Sequence, residues 1–285
     1  METGFKNDIS RKNTSDVPRL FTECERQQVL DWLLEDLRAD ERVAGIVIAG
    51  SGSVGFRDRF SDIDLCVAVF NEDEKEAVFT DWKKRLEEKF SILHMCETSN
   101  SVVHSGFILL SGFLGVDMFF TSIDKLHARR ESWAVAWDRT SKMVEIMQRT
   151  WENRKRTDPR RFYQERLDYV WHFIISCAVA VRRGWYWEAV ETIGIIRSQA
   201  VELAFLCMDM EPKQHHKLDQ LPPEFLSRLE GALVKSVGAG EIIRALNCAV
   251  DCFFESARAL DVKFGMAPAV KLEKDIHEVL QLVEK

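Results

Sequence analysis

Apolar positions change rhythm partway along the chain. In the first half they arrive in short runs: "RVAGIVIAG" (42–50) and "IDLCVAVF" (63–70), then "SILHMCE" (91–97), "GFILLS" (106–111) and "FLGVDMFF" (113–120). Runs of this length, β-branched and bounded by polar or glycine-rich stretches, predict strands. Two segments keep a helical spacing instead. "TECERQQVLDWLLEDLRAD", opened by Thr22 or Glu23, carries Val29, Leu30, Leu33, Leu34 and Leu37 on one stripe, and Val78, Phe79, Trp82 and Leu86 do the same between Glu72 and Lys89. "GSGSVGFRDRFSD" (50–62) predicts a turn leading into a short helix.

Past "RTWENRKRTDPRRFYQER" (149–166) the helical period is almost continuous, broken at Gly184, before Pro212, near Gly238 and at Gly265. Antiparallel helices joined by short loops predict a bundle. The expected class is α+β: an N-terminal α/β domain with a mixed sheet over residues 21–150, then an all-α bundle over residues 151–285. Residues 1–20 are polar, lack the apolar core of a secretion signal, and read as a loosely ordered leader.

Composition narrows the class. A chain of 285 residues exceeds what one core usually serves. No apolar stretch approaches the ~18 residues of a membrane span, so no membrane partner is expected. Seven cysteines, far apart and without a CxxC pair, read as reduced thiols packed in a core and point to the cytoplasm. The net charge of −7 argues against nucleic acid as a general partner.

The chemistry concentrates in the first half. Asp62 and Asp64, two apart on a strand, face the same way, and Asp117 is the one charged residue in "FLGVDMFF". Carboxylates set together repel unless a cation joins them, and an all-oxygen set suits Mg²⁺. Gly50 and Gly52 permit close backbone approach, and Ser51 and Ser53 add hydroxyls, so the turn suits phosphate. Arg57 and Arg59 either steady a triphosphate or sit solvated on the turn. The cation would then be Mg²⁺ carrying a nucleoside triphosphate. Two ions some 4 Å apart cannot be shared if the third carboxylate stands more than about 8 Å from the others.

Gly50-Ser51, Asp62-Ile63-Asp64 and Asp117, in this order over roughly residues 25–125, resemble the DNA polymerase β-like nucleotidyltransferase superfamily. The resemblance implies that Ser51 and Ser53 contact triphosphate, that Asp62 and Asp64 hold metal, and that Asp117 is the third ligand or the base. The appended bundle is similar in architecture to antibiotic nucleotidyltransferases acting on aminoglycosides and lincosamides. That implies a drug held between the halves, with a hydroxyl attacking the α-phosphorus of ATP.

In the second half Asp168, His172, Glu188 and Glu191 lie near helix starts with Trp171, Trp185, Tyr186 and Trp187. Glu191 is the preferred acceptor-side base, while the tryptophans read as core and the glutamates as a solvated face. The basic run Arg154–Arg166 reads as a solvated linker. The expected activity is Mg²⁺-dependent transfer of AMP from ATP to a hydroxyl of a small molecule, with an antibiotic among the acceptors. Two alternatives stay open: transfer to a protein or tRNA end, as toxin-like members perform, and a catalytically silent nucleotide-binding module. A homodimer also stays open.

Overall fold

The computed structural model describes residues 19–212 and 215–284. The expected leader falls almost wholly on residues 1–18, outside the described residues. Two compact units divide between Arg154 and Lys155.

The first unit begins with α1 (Glu23–Ala39). Thr22 caps it in a reciprocal box with Glu25, and Val29, Leu30, Leu33 and Leu37 form its buried stripe. Strand β1 (Val43–Ala49) leads to β2 (Ile63–Val69), and α2 (Lys75–Lys89) follows. Then come β3 (Ile92–Ser99), β4 (His104–Leu110) and β5 (Leu114–Ser122). Two further elements, β6 (Trp133–Asp138) and α3 (Met143–Glu152), complete the unit.

The six strands form one sheet in the order β3-β4-β5-β2-β1-β6. β2 and β5 run parallel, and the other neighbours are antiparallel. The sheet is therefore mixed, as expected. Its two faces differ. α1 and α2 cover one, where Leu33, Trp82, Leu65, Val67, Met118 and Phe120 share a core. Trp82 is fully buried, so Trp82→Ala would cost about 3–5 kcal/mol. A smaller cluster around Ala44, Val47, Ala68, Met143 and Met147 covers part of the other face.

The second unit is all-α: α4 (Pro159–Arg182), α5 (Tyr186–Cys207), α6 (Pro223–Gly231), α7 (Ala239–Phe264) and α8 (Pro268–Glu284). Asp158 caps α4 through the amides of Arg160 and Arg161 at 3.0 and 3.4 Å. α7 ends at Gly265, whose φ of 66° suits a residue without Cβ. Inside the bundle the Tyr163 hydroxyl donates to Asp261 at 2.5 Å, and Asp261 also accepts from the Ala269 amide at 3.0 Å. Among the described residues no helix is long and apolar enough to cross a membrane.

Several expectations need correction. The short helix after Gly50 is a five-residue 3-10 turn, Gly50–Val54, with no helix between it and β2. Gly50 and Gly55, with φ of 60° and 87°, interrupt any longer run. Trp171, Trp185 and Trp187 are exposed, Trp187 at 70%. The α4 core stripe runs through Leu167, Val170, Ile174, Cys177 and Val181, and Trp171 falls beside it. Cys24 and Cys96 are exposed, while Cys177 and Cys252 are buried. Cys96 lies on β3, an edge strand that little covers. The basic run is more than a solvated linker, because Arg166 pairs with the buried Glu202 at 2.6 Å and Arg154 stacks 3.4 Å from the Trp151 ring.

Candidate active site

The parallel pairing of β2 with β5 builds the site. Register sets Asp64 opposite Asp117 and Cys66 opposite Phe119. Period-two alternation then sends Ile63, Leu65, Val116 and Met118 into the helix-covered core, leaving both aspartates on the other face. A slip of one residue would bury the carboxylates against α1 and α2. Asp62 stands just before β2, and Gly115 on β5 makes room for it: a Cβ there would lie 3.3 Å from that of Asp62.

Asp62, Asp64 and Asp117 each offer an oxygen within 4.8 Å of the other two. Asp62 is exposed and the others are half-buried. Burial, then repulsion from Asp62 and Asp117, pushes the Asp64 carboxyl up to about 6. Burial and Asp62 raise that of Asp117 as well. Arg130 pulls both back toward the ionised form without cancelling the rise. Among the described residues no hydrogen bond relieves either group. Three crowded oxygen donors, two of them partly desolvated, fit a hard divalent cation such as Mg²⁺, which keeps open positions for water and phosphate.

The turn Gly50–Val54 abuts this cluster. Gly50 is required twice over, since its φ is 60° and an added Cβ would meet the Asp64 carboxylate oxygen at 2.5 Å. The Ser53 hydroxyl donates to the Gly50 carbonyl at 2.7 Å, and the Phe56 amide donates to the Ser51 carbonyl at 2.9 Å. Ser53 thus spends its hydroxyl proton within the turn. Arg57 and Arg59 are exposed, and Arg59 lies 4.7 Å from the Phe60 ring. Glu191 is an exposed residue of α5 in the second unit.

Sequence reasoning missed two arginines. Arg26 is 4% exposed on the core face of α1, and donates to the Asp58 and Ser61 carbonyls at 2.8 and 3.0 Å. Its guanidinium also sits 3.9 Å from the Phe56 ring, so it pins the loop that delivers Asp62. The signal was a charged residue on an otherwise apolar helical stripe. Arg130 follows β5 in "HARRESW", and two adjacent arginines just after the strand carrying Asp117 were its signal.

A cavity of about 300 Å³ opens on the carboxylate face. Asp64, Cys66, Asp117 and Phe119 form part of its floor, with Arg129 and Arg130 among its walls. Burial pushes the Cys66 thiol up to about 12, which keeps it protonated.

No protein-family model matches the chain, nor does any curated protein. Among solved structures it is similar to an aminoglycoside 6-adenyltransferase from Bacillus subtilis, with 14% identity and a TM-score of 0.43, over 93% of this chain and 99% of that one.

Proposed function

We propose that this protein is a Mg²⁺-dependent nucleotidyltransferase that moves AMP from ATP to a hydroxyl of a small molecule, antibiotics among the acceptors to be tried. One observation carries the reading: three carboxylates, one just before β2, one on β2 and one on β5, converge within 4.8 Å beside a glycine turn. Such crowding destabilises the empty protein, so a cationic ligand is the economical physical account of it.

In this reading Asp62, Asp64 and Asp117 would hold Mg²⁺, which when bound would screen the triphosphate and stabilise the departing pyrophosphate. The Gly50–Ser53 turn lets phosphate oxygens approach the backbone, Ser51 adds a hydroxyl, and Ser53 holds the turn's shape. Arg130 supplies a further positive charge at the same point. Asp117 takes the proton of the attacking hydroxyl. Arg57 and Arg59 would meet only the outer phosphates. The seven free cysteines accord with a cytoplasmic enzyme.

The test is release of pyrophosphate from α-labelled ATP with Mg²⁺ and a panel of hydroxyl acceptors. Label should appear on an acceptor in the wild type and disappear in Asp64→Asn. Label on protein or RNA from a lysate, with none on small molecules, would move the assignment to a macromolecular acceptor. Tight ATP binding without turnover, unchanged in Asp64→Asn, would point to a silent binding module.

A further inference from the structure

The cavity beside the carboxylates is aromatic at one end. Phe107 on β4 is the register partner of Asp117, and Phe119 is the next residue of β5 on the same face. Their rings meet edge to face, with centroids 5.8 Å apart. Both line the cavity, and Val103 adds an aliphatic wall. The charged groups are of one sign apart from the carboxylates themselves: among the described residues lining the cavity, Arg129 and Arg130 are joined by no acid besides Asp64 and Asp117.

Sheet order gives the cavity a direction. The Gly50 turn leaves β1, which lies on one side of β2, while β5 and β4 lie on the other. In phosphoryl-type transfer the attacking and leaving oxygens stand roughly in line on opposite sides of phosphorus. A triphosphate tail seated on the turn therefore puts the departing pyrophosphate on the β1 side. The attacking oxygen must approach from the side of Asp117, across Phe107 and Phe119.

We infer that the Phe107–Phe119 end of this cavity receives the acceptor, and that the acceptor is a neutral or anionic hydroxyl compound with a flat apolar portion rather than a polycation. The inference rests on the nucleotidyltransferase reading and names its substrate class. The acceptor oxygen forms its bond to the α-phosphorus of ATP, and the bond from that phosphorus to the bridging oxygen of pyrophosphate breaks. The electron pair leaves with pyrophosphate, and the hydroxyl proton passes to the Asp117 carboxylate oxygen that is not spent on metal. Flat apolar surface packs against the two rings at little entropic cost. A polycation would face Arg129 and Arg130, while the two acids of the cavity are engaged by metal. A volume of about 300 Å³ holds one substituted ring.

The experiment compares 4-methoxybenzyl alcohol, 4-(hydroxymethyl)benzoate and the polycation streptomycin on the full chain with Mg²⁺. Saturation-transfer NMR reads binding in the presence of a non-hydrolysable ATP analogue, and pyrophosphate release reads turnover with ATP. The expected result is binding and turnover of the aryl alcohols. Phe107→Ala should raise their KM about tenfold and leave that of ATP within twofold. Phe107→Leu, which keeps apolar bulk but loses the ring, should fall between, and analogue binding by both variants checks folding. Turnover of streptomycin alone overturns the inference and leaves the parent reading standing. So does competition of the aryl alcohols with the ATP analogue, which would make the aromatic end a nucleobase pocket. Loss of Mg²⁺-dependent analogue binding in the wild type overturns both.

Discussion

A pair of inward-lying carboxylates in the helical unit and a pair in the sheet unit are treated in opposite ways. In the helical unit each is answered by a donor: Asp261 by the Tyr163 hydroxyl and the Ala269 amide, Glu202 by the Arg166 guanidinium. In the sheet unit Asp64 and Asp117 face each other and Asp62, with desolvation and like charge as the chief influences on them. Satisfied acids fix helices in place. Unsatisfied acids raise the energy of the ligand-free protein and are expected where a cation is to bind. The contrast separates structural from chemical carboxylates without any reference to activity.

The strongest way to break this contrast is to neutralise one member of each group. Asp64→Asn should cut pyrophosphate release by about a thousandfold, while the melting temperature without metal stays level or rises, because repulsion is removed. Asp261→Ala should cost about 2–4 kcal/mol in urea unfolding of the second unit, because Tyr163 and the Ala269 amide lose their acceptor inside the core. Equal behaviour of the two variants would erase the distinction.

Gly50→Ala sharpens the sheet side. A left-handed φ costs an alanine about 1–2 kcal/mol, and the Cβ would also displace the Asp64 carboxylate. Mg²⁺ affinity by calorimetry should fall even where the protein folds. The response to pH follows from Asp64. Its folded value, about 6, lies above the ordinary 3.8, so its contribution to stability is fully present below pH 4 and lost as pH rises through 6. Without metal, thermal melts should therefore show this group destabilising the protein across that window, and saturating Mg²⁺ should reverse the trend. The smallest effect is expected for Ser53→Ala, which removes one hydrogen bond to Gly50 and costs about 1 kcal/mol.

The elements that build the site were legible because they are strongly patterned. β1, β2 and β5 are dense β-branched or aromatic runs, and an acid inside such a run is conspicuous. β6 and α3 were not legible. Every residue of β6 is only half-buried at the sheet edge, so it shows no clear alternation, and α3 buries just Met143 and Met147. The roles of Arg26 and Arg130 were hidden for another reason: each acts across the fold, one on a loop far along the chain and one on strands already passed. The exposed tryptophans misled because aromatic spacing alone does not say which side of a helix meets the core.

The parallel pairing of β2 with β5 has a consequence for how the protein is made. All of α2, β3 and β4 lies between Asp64 and Asp117 in the chain, so a ribosome-bound fragment ending before β5 carries only two of the three acids. The full charge conflict among all three acids arises only when the last of the site's strands docks, among the slowest kinds of contact to form. Divalent cation present during synthesis or refolding would ease that docking, so the ligand would act first as an aid to assembly and only afterwards in catalysis.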